Sequence, residues 1–481
     1  MPWISAPRAA VKGRISKDMS GASGGSCVAI LGDRTNRSMA AEAKPAAYAI
    51  LVRRLEGGAR MAAAAEITPE LRLDRPIDLA SRDFLLNKES WYPRIRDEAP
   101  VVDGRISLMR LKLVSRYEDC RFVLTDERFV RNRARSLGKS KGSALPLPLP
   151  KSIAALSTSM IYEDDPEHRR HRNLVNQAFT TRRVAAFEPR VESIAAELLD
   201  ALEGRTEATP GSEIDLLQSY ATAVPMRVIS ELVGIRPEEA ARMENGLTVL
   251  SKGLTGTRIL KTMLFDLRRV GRFVRELIER KRAEPGDDLL TALIEAEEDG
   301  DRLTTDELVA MVFLLIIAGL ETTEHLITNG IRFWIESPGV RQRVEGDEGR
   351  WTDAMEELVR LHGPVLGTKP VRPCEDVEIA GIPIERGTMV MPLLGAANRD
   401  PAVFDQPETF DETRSPNPHL GFGFGAHFCL GKQLALMETR VALRRLFERF
   451  PEAHFARPPE TLELANWPLW HRHIAMPVVL R

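Results

Sequence analysis

The chain has 481 residues, 43% of them hydrophobic and 28% charged, with a formal net charge of -2. That length can bury a sizeable core and a cofactor with it. The near-neutral balance argues against nucleic acid as the main partner, because such binders carry a basic surplus. The four cysteines, Cys27, Cys120, Cys374 and Cys429, form no CxxC pair and no disulfide framework. A reducing, cytoplasmic setting fits them best.

Residues 1–60 are rich in Ala, Gly, Ser and Arg, include SGASGGS at 20–26, and show no apolar period. That composition predicts a disordered extension. Met61 reads like a fresh start, so the folded domain is expected over 61–481. The N-terminus lacks the basic-then-apolar pattern of a signal peptide. The best apolar run, Leu308 to Leu320, is shorter than the roughly 18–20 residues that span a bilayer, so no membrane anchor is expected.

From about residue 105 to 130 the pattern predicts a strand, a short helix, then a strand or turn. Residues 132–152, with Gly, Ser, Lys and alternating Leu-Pro, predict a long loop. Residues 166–335 read as mostly helical. Thr304 and Glu307 form a Thr-x-x-Glu capping box. The helix it opens is predicted to run about 30 residues and stop before Pro338. Its apolar middle predicts a path through the core. A further helix is expected from Thr352 to about Leu361, then short β-like stretches and a loop-rich region. Another helix is expected from near Cys429 to about Phe450, and a C-terminal hairpin after it. The fold class is mainly α with a smaller β region.

The chemistry concentrates in Phe422-Gly423-Phe424-Gly425-Ala426-His427-Phe428-Cys429-Leu430-Gly431. Glycines allow a backbone to approach a flat ligand and to take unusual torsions. A helix starting at or just after Cys429 would aim free N–H groups and its positive dipole end at the sulfur. Both effects lower a thiol pKa, so a thiolate is expected there. Such a thiolate suits an iron ligand.

This stretch resembles the haem-binding signature of the cytochrome P450 family, F-G-x-G-x-H-x-C-x-G, at every fixed position. The resemblance runs from about Asp74 to the C-terminus. It implies the mainly helical cytochrome P450 fold, haem b held without a covalent link, and Cys429 as the iron ligand. Phe422, Gly423, His427 and Gly431 are implied haem contacts.

Ala318-Gly319-Leu320-Glu321-Thr322-Thr323 resembles the family's oxygen-activation motif. Ala318 and Gly319 are implied to lie over the haem, with Glu321 and Thr322 relaying protons. A buried acid and hydroxyl in an apolar helix need a reason to be there, and Gly319 with a hydroxyl can open a groove. Glu357 and Arg360 resemble the family's E-x-x-R pair and share a helix face. Relatives carry an arginine where this chain has Thr409, and Arg414 is expected to substitute for it.

His168 and Arg172 resemble the family's D-P-x-H-x-x-x-R and, with His419, are implied to meet the haem propionates. Arg372 stands in for a further family arginine, because the aligned position is Val371. Leu314 and Ile317, one turn before Gly319, are expected to face the substrate. The 132–152 loop and Trp467-Pro468-Leu469-Trp470 are candidates to line the same pocket.

The resemblance further implies a monooxygenase that inserts one atom of O2 into a hydrophobic organic substrate. Electrons from reduced nicotinamide would arrive through an iron–sulfur ferredoxin and its ferredoxin reductase. Arg169, Arg170 and Lys432 are the expected docking cations. The alternatives are a non-catalytic haem-binding or sensor protein, which needs no proton relay, and a peroxide-driven peroxygenase.

Overall fold

The computed structural model describes residues 73–138, 159–236, 238–239, 267–297 and 300–481. The expectations for residues 1–60 and Met61 lie outside the described residues, as does most of the 132–152 loop. Asn132 there caps a short helical turn, Arg133–Ser136, accepting from the Ala134 N–H at 2.9 Å.

The β portion begins with β1 (Ile77–Asp78), α1 (Arg82–Glu98), β2 (Val101–Ile106) and β3 (Met109–Val114). Next come α2 (Tyr117–Thr125) and β4 (Phe129–Val130), matching the predicted strand–helix–strand. The helical portion follows: α3 (Glu167–Ala178), α4 (Thr181–Ala208), β5 (Ile214–Asp215), a π turn (Leu217–Ala221) and α5 (Ala223–Val233). It continues with α6 (Leu267–Ala283), α7 (Leu289–Glu295), α8 (Thr305–Glu336), α9 (Pro338–Val344) and α10 (Glu348–His362). The chain closes with β6 (Arg372–Pro373), β7 (Val377–Ile379), β8 (Ile382–Ile384), β9 (Val390–Pro392), α11 (Lys432–Arg449), β10 (His454–Phe455) and β11 (Pro477–Val479).

The largest sheet has the order β1-β2-β3-β9, with β2 and β3 antiparallel and both outer pairs parallel. Three smaller sheets are β10-β11-β5, β4-β6 and β7-β8. The expected C-terminal hairpin is only a single bridge between Leu464 and His473, while β11 is the middle strand between β10 and β5.

α8 is the axis of the helical core. Thr304 accepts from the Glu307 N–H at 3.3 Å, and Glu307 accepts from the Thr304 N–H at 2.7 Å, so both halves of the capping box form. Its length and apolarity pass the test for a membrane span, yet over half of the tested window is buried inside the protein. The apolar run is therefore explained by burial in the protein core. A Cβ at Gly330 would stand 2.6 Å from the Leu443 Cδ1, so glycine there lets α8 and α11 cross closely. Trp334 is fully buried and stacks on Trp351 of α10 at 5.7 Å between centroids. α10 starts four residues before the expected Thr352, because Asp347 caps it through the Gly349 N–H.

Candidate active site

The cysteine loop is built by its glycines. Gly423 and Gly425 sit at φ +74° and +72°, where a side chain is strained. A Cβ at Gly425 would also meet the Leu124 carbonyl of α2 at 2.5 Å. The Phe422 carbonyl accepts from the Cys429 N–H at 2.9 Å and closes the loop. α11 then begins at Lys432 with Gly431 at its N-cap, not at Cys429 as expected. The backbone N–H groups of Gly431 and Lys432 both hydrogen-bond the Cys429 thiol.

Those donors, with the Arg172 and Lys432 charges, pull the Cys429 pKa down, but burial outweighs them and the net shift is upward. The expected lowering by the helix end alone is therefore corrected. Cys120 shows the opposite setting. It is fully buried, pushed up by burial and by Asp119, and donates to the Val114 carbonyl at 3.2 Å.

Cations without acids gather beside Cys429. His168 is buried and stacks on His427 with centroids 4.0 Å apart. Its Nδ1 is 3.5 Å from Asp165, whereas its Nε2 is buried with no hydrogen-bond partner. Burial, then Arg131, His168 and Arg172, hold the His427 pKa down to about 2. Burial lowers Arg131 to about 10 and also lowers Arg172 and Arg372. Arg372 faces Arg133 from β6. A buried, orphaned imidazole N–H beside desolvated guanidinium groups is costly unless anions complete it. The two propionates of a haem are such anions, so the residues present fit that group. Arg131 carried no motif, and only its burial reveals it.

His419 differs from expectation. Its Nε2 meets Glu356 at 2.8 Å and its Nδ1 accepts from the Gly421 N–H at 3.1 Å, so both ring nitrogens are engaged away from the cluster. Lys432 shares Glu356 at 2.8 Å. Arg170 is equally committed, to Asp301 and to Glu307 at 2.8 Å, so it ties α3 to the start of α8. Of the three expected docking cations, Arg169 is the exposed one, with Asp165 as its partner.

α8 turns one distinct face outward at mid-length. Leu314, Ile317, Ala318, Glu321 and Thr322 are half-buried or exposed, while Leu308–Val312 and Thr323–Ile331 are buried. Their spacing puts them on one stripe. Gly319 instead packs against Ile229, 3.6 Å from where its Cβ would be. The Thr322 hydroxyl donates to the Ala318 carbonyl at 2.6 Å, and the helix runs unbroken from Thr305 to Glu336. The expected groove is thus a doubly bonded carbonyl, not an opened helix. Leu469, expected near substrate, is buried in the core around the main sheet.

Glu357 and Arg360 are both fully buried and form a bidentate pair at 2.7 Å. Arg414 donates to Glu357 at 3.1 Å, and Asn417 adds a donor at 3.0 Å. Arg360 also donates to the carbonyls of Asn398, Pro407 and Thr409. Thr409 therefore contributes its backbone where relatives contribute a side chain.

The Cytochrome P450 family profile matches residues 114–347 and 351–464. The chain belongs to the cytochrome P450 family. It is 38% identical over 380 residues to Cytochrome P450 107B1 of Saccharopolyspora erythraea, covering 79% of this chain and 91% of that one. It is 37% identical over 383 residues to 6-deoxyerythronolide B hydroxylase of the same organism, covering 78% and 91%. The solved structure of the polyketide synthase cytochrome P450 PksS of Bacillus subtilis superposes with TM-score 0.76 at 32% identity, covering 84% and 99%. Relatives named hydroxylase and monooxygenase make this cytochrome P450 an oxidoreductase that incorporates oxygen. The family's cofactor is haem.

Proposed function

We propose that residues 61–481 form a cytoplasmic monooxygenase that takes electrons from reduced nicotinamide through a separate ferredoxin and reductase. The balance is one C–H bond, one O2, two electrons and two protons giving one hydroxyl product and one water. The observation that carries this reading is the pairing of two sets. One is Cys429 with its N–H donors beside the acid-free cluster of His168, Arg131, Arg172 and Arg372. The other is the stripe on α8 that ends in Glu321 and Thr322.

Haem held there supplies O2 binding and electron storage. The chain's part is to hold the sulfur, neutralise the propionates and deliver protons. His168, Arg172 and Arg372 would meet the propionates, and Cys429 the iron. Glu321 would take a proton from solvent, and the Thr322 hydroxyl would pass it on while donating to Ala318 at rest. Leu314 and Ile317 offer an apolar wall, so the substrate is a hydrophobic organic molecule. Relatives named for polyketide biosynthesis and 6-deoxyerythronolide B hydroxylation make macrolactones the first class to try.

The test is haem-loaded protein with a surrogate ferredoxin and reductase, a macrolactone panel and isotopically labelled O2. One labelled oxygen atom in the product is expected. A product labelled only from hydrogen peroxide would favour the peroxygenase alternative.

A further inference from the structure

Glu324 is a second acid on α8, one turn beyond Glu321, and no sequence pattern pointed to it. It is 9% exposed. Residues three apart share a helix face, and the Glu321 charge is felt at Glu324. Thr222, just after the π turn at Leu217–Ala221, hydrogen-bonds the Glu324 carboxyl. The single hydroxyl proton of Thr222 already goes to the Leu217 carbonyl at 2.8 Å. A hydroxyl has one proton to give, so towards Glu324 it is left as acceptor. The proton in that contact must come from a neutral Glu324.

The other neighbours agree. The Glu324 Oε1 is 3.7 Å from the His325 Nε2. Burial, then Arg472 and His473, hold His325 down to about 3, so its ring is neutral and gives no cation to ionise the acid. Burial likewise holds His473 down to about 3. Burial first, and Glu321 with it, raise the Glu324 pKa to about 7 against the pull of Arg472 and Thr222. The acid is thus protonated near neutral pH, and Arg472 is placed to steady its carboxylate once the proton has left.

We propose that Glu324 is a reserve proton donor that re-protonates Glu321 between the two proton deliveries of one turnover. This rests on the monooxygenase reading above. The reaction consumes two protons, and a single carboxyl at Glu321 holds one. In the step, the O–H bond at Glu324 breaks and one forms on the Glu321 carboxylate, directly or across a water. Glu324 is left as a carboxylate facing Arg472, and solvent water returns its proton. No electron moves.

Two measurements on the haem-loaded full chain test this. The first is an infrared pH titration, which needs no turnover. A protonated-carboxyl stretch should disappear as pH rises through about 7 in the parent and should be missing from Glu324→Gln. If the parent lacks this band, Glu324 is not a stored acid and the proposal fails. The second is oxygen uptake against pH with a surrogate ferredoxin and reductase. The parent should slow above about pH 7. Glu324→Gln should be slower on the order of tenfold, a modest share of what a positioned donor gives, and should lose that inflection. Glu324→Asp should restore rate and inflection, which a purely structural role would not give. A Glu324→Gln protein with parental rate and profile overturns the relay while leaving the monooxygenase reading intact. Oxygen uptake without labelled product from any macrolactone overturns that reading instead, and the infrared titration still decides whether Glu324 stores a proton.

Discussion

Glu357 offers a quantitative test of what anchors the cysteine loop. Its two carboxylate oxygens receive five donors. Arg360 supplies two at 2.7 Å, the Asp411 N–H one at 3.0 Å, Arg414 one at 3.1 Å and Asn417 one at 3.0 Å. Glu357→Gln keeps the shape but turns one acceptor into a donor that faces other donors, and it leaves the Arg360 guanidinium buried without its counter-charge. Breaking a buried pair from one side costs about 3–5 kcal/mol. For roughly 400 folded residues, the unfolding entropy near the midpoint is about 0.8 kcal/mol per kelvin, so Tm should fall by about 4–6 °C. Removing Arg360 as well should not restore stability, because the carbonyls of Asn398, Pro407 and Thr409 would then lose their donors. Thermal unfolding and haem content of both variants are the assay. A Glu357→Gln protein that melts within about 1 °C of the parent with full haem would refute the reasoning.

Three further outcomes are expected. Cys429→Ala should lose the strongly red-shifted Soret band of a thiolate-bound reduced carbonyl complex, and a retained band would reassign the ligand. Thr322→Ala should keep haem, fold and substrate binding yet release mostly hydrogen peroxide per nicotinamide consumed, read as product against peroxide. His171 should make stability depend on pH. Burial opposes its charge, but Glu163 at 2.5 Å and Glu307 at 3.0 Å raise its pKa above 6.5. That stabilisation is complete below about 6.5 and is lost as pH rises through the raised value, so His171→Asn should flatten denaturant midpoints measured across that window.

Features set by neighbouring residues were legible in the sequence. The Thr304–Glu307 box fixes the start of α8 because both partners lie within one turn. The glycines of the cysteine loop announce a backbone that side chains would strain, and Gly423 and Gly425 have that backbone. The spacing of Glu357 and Arg360 is enough to place them on one face. What the sequence left open depends on contacts made across the fold. His419 meets Glu356, 63 positions away, and nothing local says so. Arg170 reads as a surface cation until Asp301 and Glu307 are placed beside it. Arg131 and Glu324 belong to the site through burial alone, which no short pattern encodes.

The two thiols near this site show how burial and field combine. Burial pushes both Cys120 and Cys429 upward, so desolvation does not distinguish them. The surroundings do. Cys120 faces Asp119 and Asp400, and its sulfur is spent on the Val114 carbonyl, so the charges there add to the cost of an anion. Cys429 faces Arg172, Lys432 and two backbone N–H groups, all of which favour an anion and fall short of offsetting its burial. A sulfur so arranged lacks only one more positive charge. A bound metal ion supplies a larger local charge than any side chain, and a coordinating thiol then gives up its proton. The helix end thus prepares the thiolate without forming it alone, which is why the position of Gly431 and Lys432 matters more to this site than the nominal start of α11.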